Sequence, residues 1–339
     1  MQLRSIVIFL IFALLPQTGM GQAWTQKAGS VYAKVFYGQS AATEQFTFDG
    51  TLRAYADNVD YRPYVEQAAY LYTDIGLTNT VTFFGTIPYK RIRVRDTSFE
   101  YQTRAIGSAE VGLSVSLARI AGATGGRNAA SISIVSSIPL GYTRNYAPSA
   151  GSGQVNVGAL LSYGRSFYPA PFYAQFSVGF EHPTSFYDLS VARDCQVGQD
   201  LDCVFDSRPE FDDLFLYSAE LGLNLGRRIL VQGVVGGVWS IEAPDIAFSV
   251  YNPFPTRQRY VKAGGGVRIQ LPGSVGLSGQ IRFTPVGANT IKSTDYFVGL
   301  DISFSTRKCC KEKNAEQMKQ KEKPESADVP FSKPHQRRY

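Results

Sequence analysis

The stretch from Tyr64 to Val94, YVEQAAYLYTDIGLTNTVTFFGTIPYKRIRV, limits the possible folds more than any other part of the chain. It reads as a hairpin. Two runs of more than ten residues, rich in Tyr, Val, Ile, Phe and Thr, flank Leu77-Thr78-Asn79-Thr80, and Gly76 and Asn79 supply turn chemistry. Strand side chains alternate, so Val81, Phe83, Gly85 and Ile87 point one way and Thr82, Phe84 and Thr86 the other. One face is apolar and the other largely polar. Soluble sandwiches use strands of about five or six residues, whereas a tilted strand crossing a bilayer needs about nine to eleven. These runs are of membrane-spanning length.

The same period of two recurs along the chain. It is clearest at Phe172 to Glu181, where Phe172, Ala174, Phe176, Val178 and Phe180 oppose Tyr173, Gln175, Ser177, Gly179 and Glu181. Further strands read at Ser30–Tyr37, Arg104–Leu117, Ala130–Leu140, Gln154–Arg165, Leu214–Leu225, Ile229–Ile241, Arg259–Leu271, Val275–Phe283 and Tyr296–Phe304, twelve with the hairpin. Connections alternate: long after strands one, three, five, seven and nine, with the third at Asp96–Thr103, and short after two, four, six, eight and ten. Bacterial outer-membrane barrels have long outer loops, short periplasmic turns and an even strand number. The expected fold is therefore all-β, a transmembrane antiparallel up-and-down β-barrel of about 12 strands over residues 24–305, with both termini periplasmic. A soluble sandwich or solenoid is the alternative, but neither requires this loop asymmetry.

Composition removes other classes. A mean hydropathy of -0.12 does not describe a helical membrane protein. The one continuous apolar run, Ile6 to Leu15, falls short of the roughly twenty residues that a spanning helix needs. It follows Arg4 and precedes Gly19, Gly21 and Ala23, the layout of a secretory signal peptide over residues 1–23. The net charge of +6 is concentrated in the tail, residues 306–339, where ten Lys or Arg stand against five Asp or Glu between Arg307 and Tyr339. That tail reads as basic, disordered and periplasmic, and the near-neutral barrel argues against a nucleic-acid partner.

Inward parity gathers Lys34, Glu66, Glu110, Tyr173, Gln175, Glu181, Glu220, Asn224, Lys262, Arg268, Gln280, Arg282 and Asp301. Buried charges must be paired or hydrated, so this set is either a plugging ion-pair network or the wall of a hydrated path. Lys34, Lys262, Arg268 and Arg282 fall on neighbouring strands and form a basic side with Asp301 set into it, while Glu66, Glu110, Glu181 and Glu220 form an acidic side. Outward parity carries Tyr89, Arg91, Arg93 and Arg95 to the outer rim, where guanidinium groups pair with lipopolysaccharide phosphates or simply stay solvated.

Cys195 and Cys203 lie in the longest loop and are expected to form a disulfide in an oxidising compartment. The acidic residues around them lack the ordered spacing of a calcium site, and Cys309-Cys310 has no nearby His, so neither a metal nor a cofactor is expected. Chemistry has thin support: the two histidines are His182 and His335, and Ser185 near His182 matches no catalytic motif. No catalytic residues are assigned.

Tyr72-Thr73-Asp74-Ile75-Gly76-Leu77-Thr78-Asn79-Thr80-Val81-Thr82, followed by Gly85-Thr86-Ile87-Pro88-Tyr89, resembles a recurring hairpin in a family of bacterial outer-membrane barrels named for the meta pathway of phenol degradation. The opening Trp24-Thr25-Gln26-Lys27-Ala28-Gly29 is similar to that family's mature N-terminus, although Asp74-Ile75 and Asn79-Thr80 depart from the family pattern. The resemblance implies an outer-membrane transporter for small, often aromatic or hydrophobic compounds, and supplies no catalytic residues. Together these readings lead us to expect a Gram-negative outer-membrane channel for passive uptake of small solutes. The rival is a structural or interaction barrel with a closed lumen, binding lipopolysaccharide or a partner through its loops.

Overall fold

The computed structural model describes residues 23–55, 62–95, 99–122, 127–144, 148–187, 209–245 and 255–305. Residues 1–22 of the expected leader, the Cys195/Cys203 pair, and the tail from residue 306 lie outside the described residues. Strand β1 (Ser30–Ala42) is followed by short β2 (Glu44–Phe46) and β3 (Leu52–Ala54), then by the hairpin β4 (Tyr64–Gly76) and β5 (Val81–Arg95). Next come β6 (Glu100–Ile106), β7 (Ala109–Ser116), a single helical turn α1 (Leu117–Ile120), β8 (Asn128–Ile138), β9 (Asn156–Ser166) and β10 (Phe172–Pro183). β11 (Leu214–Leu225), β12 (Ile229–Ser240), β13 (Arg259–Gln270), β14 (Val275–Ala288), β15 (Thr290–Ile291) and β16 (Thr294–Ser305) complete the fold.

Thirteen strands form one antiparallel sheet, and β1 closes it by pairing with both β4 and β16, so that Lys34 stands between Tyr72 and Asp301. Closure removes the exposed edges that an open sheet would leave. β6 and β7 pair with successive halves of β5, so the thirteen strands make the twelve staves expected from sequence. Their break has a local cause. Pro88 of β5 has no N–H to give, the β5–β7 ladder stops at Thr86↔Glu110, and the β5–β6 ladder starts at Tyr89↔Ile106.

Three expectations need correcting. The run Arg104–Leu117 is not one strand: it is interrupted opposite Pro88, and it ends at Ser116, whose Oγ accepts a 3.4 Å bond from Arg119 N and caps α1. Asp96–Thr103 is not all loop, because the ladder continues through Val94↔Tyr101 and Arg95↔Glu100. The polar stretch after β1 is not all loop, since β2 pairs with β3 and with β15 in a second, three-stranded sheet.

Burial is inverted relative to a water-soluble domain. Val35, Phe176, Tyr296, Val298 and Leu300 are exposed on the outer surface, while Ser131, Ser133, Ser162 and Ser177 are buried inside. Among the described residues no helix is long and apolar enough to cross a membrane, so crossing falls to the strands. Aromatics at the rims carry cations over their faces, as with Arg259 on Trp239 (4.5 Å) and Arg165 on Phe167 (5.4 Å).

Candidate solute pathway

Eight staves enclose about enough room for side chains alone, so twelve leave a space to be filled or traversed. A cavity of about 850 Å³ occupies the interior. Of the residues assigned to the lumen, Lys34, Glu110, Tyr173, Gln175, Glu181, Glu220, Lys262, Arg268, Gln280 and Arg282 border it. Asp301 does not, being buried beneath Arg268. Glu66 does not either: it accepts from Tyr64 Oη at 2.9 Å and pairs with Lys90 at 3.3 Å. Asn224 is exposed at the end of β11.

Two of the four cations on the basic side are neutralised in place. Arg268 grips Asp301 with two bonds, Nε at 2.9 Å and Nη2 at 2.5 Å, the bidentate geometry that a guanidinium favours. Lys262 Nζ lies 2.7 Å from Asp295, which also accepts from Ser40 Oγ at 2.6 Å. Lys34 and Arg282 rest on rings instead, Lys34 Nζ 5.1 Å from the Phe36 centroid and Arg282 Cζ 4.5 Å from that of Phe297. Phe36 in turn stacks on Tyr70 at 4.5 Å and an 8° interplanar angle. Across the lumen Glu220 accepts from Gln232 Nε2 (2.8 Å) and from Tyr173 Oη. Every one of these groups is fixed by a neighbour, which is how a low-dielectric interior tolerates charge.

Part of the wall is apolar, where Leu216 and Val238 border the cavity. Phe84, Val135, Leu160, Leu216 and Val238 form one buried cluster. Large and small residues alternate around it: Phe84 faces Gly112 and Leu160 faces Gly179 across their ladders. A side chain at residue 112 would bring its Cβ to 2.4 Å from Phe84 Cζ, so this glycine makes room for the ring.

Both ends of the interior are narrowed by chain that is not part of the wall. At the short-turn end, residues 23–28 lie across the opening. Ala23 N donates to Gln175 Oε1 (3.1 Å), Gln26 N to Thr82 Oγ1 (2.9 Å) and Ala28 N to Asn79 Oδ1 (3.2 Å). Arg119 of α1 clamps the same segment, donating to the carbonyls of Thr25 and Gln26 at 2.9 Å each and to that of Asn79. Trp24 meets Tyr173 edge-on at 5.5 Å. At the long-loop end, Ser149, Ala150 and Gln154 are buried, and Tyr142 Oη accepts from Gly153 N at 2.7 Å and lies 3.1 Å from Ser108 Oγ. Burial pushes the Tyr142 phenol up, so it stays neutral.

Several residues here were not singled out from sequence. Asp295 shares the parity of Asp301 but precedes the expected strand start at Tyr296 by one residue. Gln232 and Tyr70 have inward parity on strands that were recognised, and the Trp24 segment carries no strand pattern at all. At the rim, Arg91 and Arg95 are exposed and Arg93 is half-buried, with Arg104 directly opposite Arg91. His182 Nδ1 lies 2.6 Å from Asp213, an exposed pair. Among the described residues no three His, Cys, Asp or Glu side chains converge as a metal site.

No protein-family model matches the sequence, and a search of curated proteins finds no match. Solved structures do match by shape. The chain is similar to the COG4313 outer membrane channel from Pseudomonas putida F1, with a TM-score of 0.64 at 12% identity over 85% of this chain and 100% of that one. The NanC porin (TM-score 0.45, 5% identity, 80% of this chain and 98% of that one) and the CymD monoaromatic hydrocarbon channel (0.41, 9%, 83% and 90%) are more distant. The first of these likenesses, with the closed twelve-stave sheet and its apolar exterior, establishes the class: an outer-membrane-type antiparallel β-barrel.

Proposed function

We propose that this chain is a Gram-negative outer-membrane channel for passive passage of small solutes, hydrophobic and aromatic ones included. The observation that carries the reading is the composition of the cavity wall. Stacked Phe36 and Tyr70 and the cations Lys34 and Arg282 border the cavity together with the apolar side chains of Leu216, Val234 and Val238. Such a wall offers flat apolar surface to a ring and charge to its polar substituents. The motif-level resemblance to the phenol-pathway transporter family supports this reading. The reading is non-enzymatic. We place the long loops outside the cell, the tail from residue 306 in the periplasm, and Arg91, Arg93 and Arg95 beside lipopolysaccharide phosphates.

A second reading, a closed interaction barrel, is favoured by one feature: chain segments narrow both ends of the lumen. Liposome swelling with purified folded protein separates the two. Swelling in small sugars and amino acids faster than in protein-free liposomes supports the channel. No swelling with any solute, together with no conductance in planar bilayers, supports the closed barrel.

A further inference from the structure

A second cavity, of about 250 Å³, opens at the long-loop end among β5, β7, β9 and β10 and is bordered by the buried segment around Ala150. It adjoins the main lumen and shares Tyr70, Glu110, Glu181, Leu214 and Gln258 with it. Four polar atoms of its lining find no hydrogen-bond partner among the described residues: Thr86 Oγ1, Glu110 Oε2, Gln154 Nε2 and Asn156 Oδ1. Thr86 and Gln154 are each only 2% exposed. Leaving such atoms unpaired is costly, and four around one space mark it as a place where something else supplies the bonds.

The charge balance says what that is. Glu110 and Glu181 both line the space, and Glu181 Oε1 already accepts from Asn156 Nδ2 at 2.7 Å. Lys90 lines it too, but its ammonium is held by Glu66 at 3.3 Å, and Glu66 lies outside the lining. The unpaired atoms are mostly acceptors: a carboxylate oxygen, an amide oxygen and a hydroxyl, with one amide donor. An ammonium has three donors and no acceptor. Pro88, Pro183, Phe211 and Leu214 add an apolar wall that suits a carbon skeleton.

We propose that this outer pocket binds the protonated amine of a small organic solute, with Glu110, Thr86 and Asn156 accepting its hydrogens and Gln154 offering a donor to a neighbouring oxygen. The pocket shares Glu110 and Glu181 with the lumen wall, but amine binding there does not require an open path. Calorimetric titration of the folded protein in detergent with benzylammonium chloride, benzyl alcohol and sodium benzoate tests it, since the three share a ring and differ in charge. Wild-type protein is expected to bind benzylammonium and to give no saturable heat with the other two. Glu110→Gln with Glu181→Gln is expected to weaken binding about tenfold or more. Should that pair fail to fold, Thr86→Val, nearly isosteric, is expected to weaken binding as well. Failure of wild type to bind benzylammonium, equal binding of benzyl alcohol or benzoate, undiminished binding in whichever variant folds, or uptake of calcium chloride in place of the amine would each overturn the proposal. Because conductance is not read, a sealed lumen leaves this result intact and a failed titration leaves the channel reading intact.

Discussion

Replacing Arg119 by Ala tests whether the segment over residues 23–28 is held by a specific clamp. Arg119 donates two bonds to that segment, at the carbonyls of Thr25 and Gln26, both 2.9 Å. Hydrogen bonds to a charged group contribute about 1.5–3 kcal/mol each. The side chain is half-buried, so the lower figure applies, giving about 3 kcal/mol, or about 150-fold in the docked-to-released ratio. The three remaining backbone bonds, at about 1 kcal/mol each, supply a similar amount. Trp24 reports the outcome. The chain has two tryptophans, and Trp239, exposed on the outer surface, is removed as Trp239→Phe. Docked against Tyr173, Trp24 should emit to the blue and resist acrylamide quenching; in Arg119→Ala the emission should move red and quenching rise. Arg119→Lys, able to bond one carbonyl well, should fall between. Gly76→Val should act like Arg119→Ala by a different route, since a Cβ there would sit 1.9 Å from the Lys27 carbonyl oxygen. Emission and quenching unchanged in both Arg119→Ala and Gly76→Val would refute the clamp.

Phe176, exposed on the outer surface of β10, should tolerate no cation: Phe176→Arg is expected to lower unfolding free energy in lipid by about 2–4 kcal/mol, measured by urea titration in vesicles, and a change below about 0.5 kcal/mol would mean that the residue does not face lipid. In planar bilayers Arg268→Gln and Arg282→Gln together should shift the reversal potential towards cations, and Asp301→Asn should shift it towards anions by leaving Arg268 uncompensated; shifts of the opposite sign would show that these groups do not face the ion path. A protease site placed between Cys195 and Cys203 should be cut on intact cells and one after Lys323 should not; the reverse pattern would invert the orientation.

The wall of the barrel was legible because alternation leaves little freedom once one face must meet lipid. Every outward residue expected on the last strand, from Tyr296 to Phe304, is exposed. What alternation does not show is how full the inside is. Ser177 has inward parity and reads as a hydrated position, yet it is buried, and its Oγ lies 2.8 Å from that of Ser162. Similarly, Phe84 has inward parity amid threonines, and only the register that sets it against Gly112 shows that it belongs to an apolar cluster. Elements outside the ladder were illegible for a different reason. The Trp24 segment and the stretch around Ala150 have no period and are fixed by long-range bonds such as Gln26 N to Thr82 Oγ1, which no local pattern encodes.

Charge placement within the lumen, rather than net charge, decides what a solute meets. The basic side expected from sequence contains two carboxylates, Asp295 and Asp301, each tied to a cation, so its field comes chiefly from Lys34 and Arg282. Those two stand beside Phe36, Tyr70 and Phe297, deeper than Glu110 and Glu181, which sit near the loop ends of β7 and β10. A solute entering from the loop end would therefore pass carboxylates first and ring-backed cations second. On the channel reading, the two zones oppose each other for a simple inorganic ion and should slow its passage in either direction. A small molecule with a positive end, a flat body and a negative end meets a favourable partner for each part in turn, its ring gaining stacking surface where its charge is least solvated. The Trp24 segment is the last barrier on that path, held by hydrogen bonds that a solute could replace one at a time rather than by a covalent or fully buried seal.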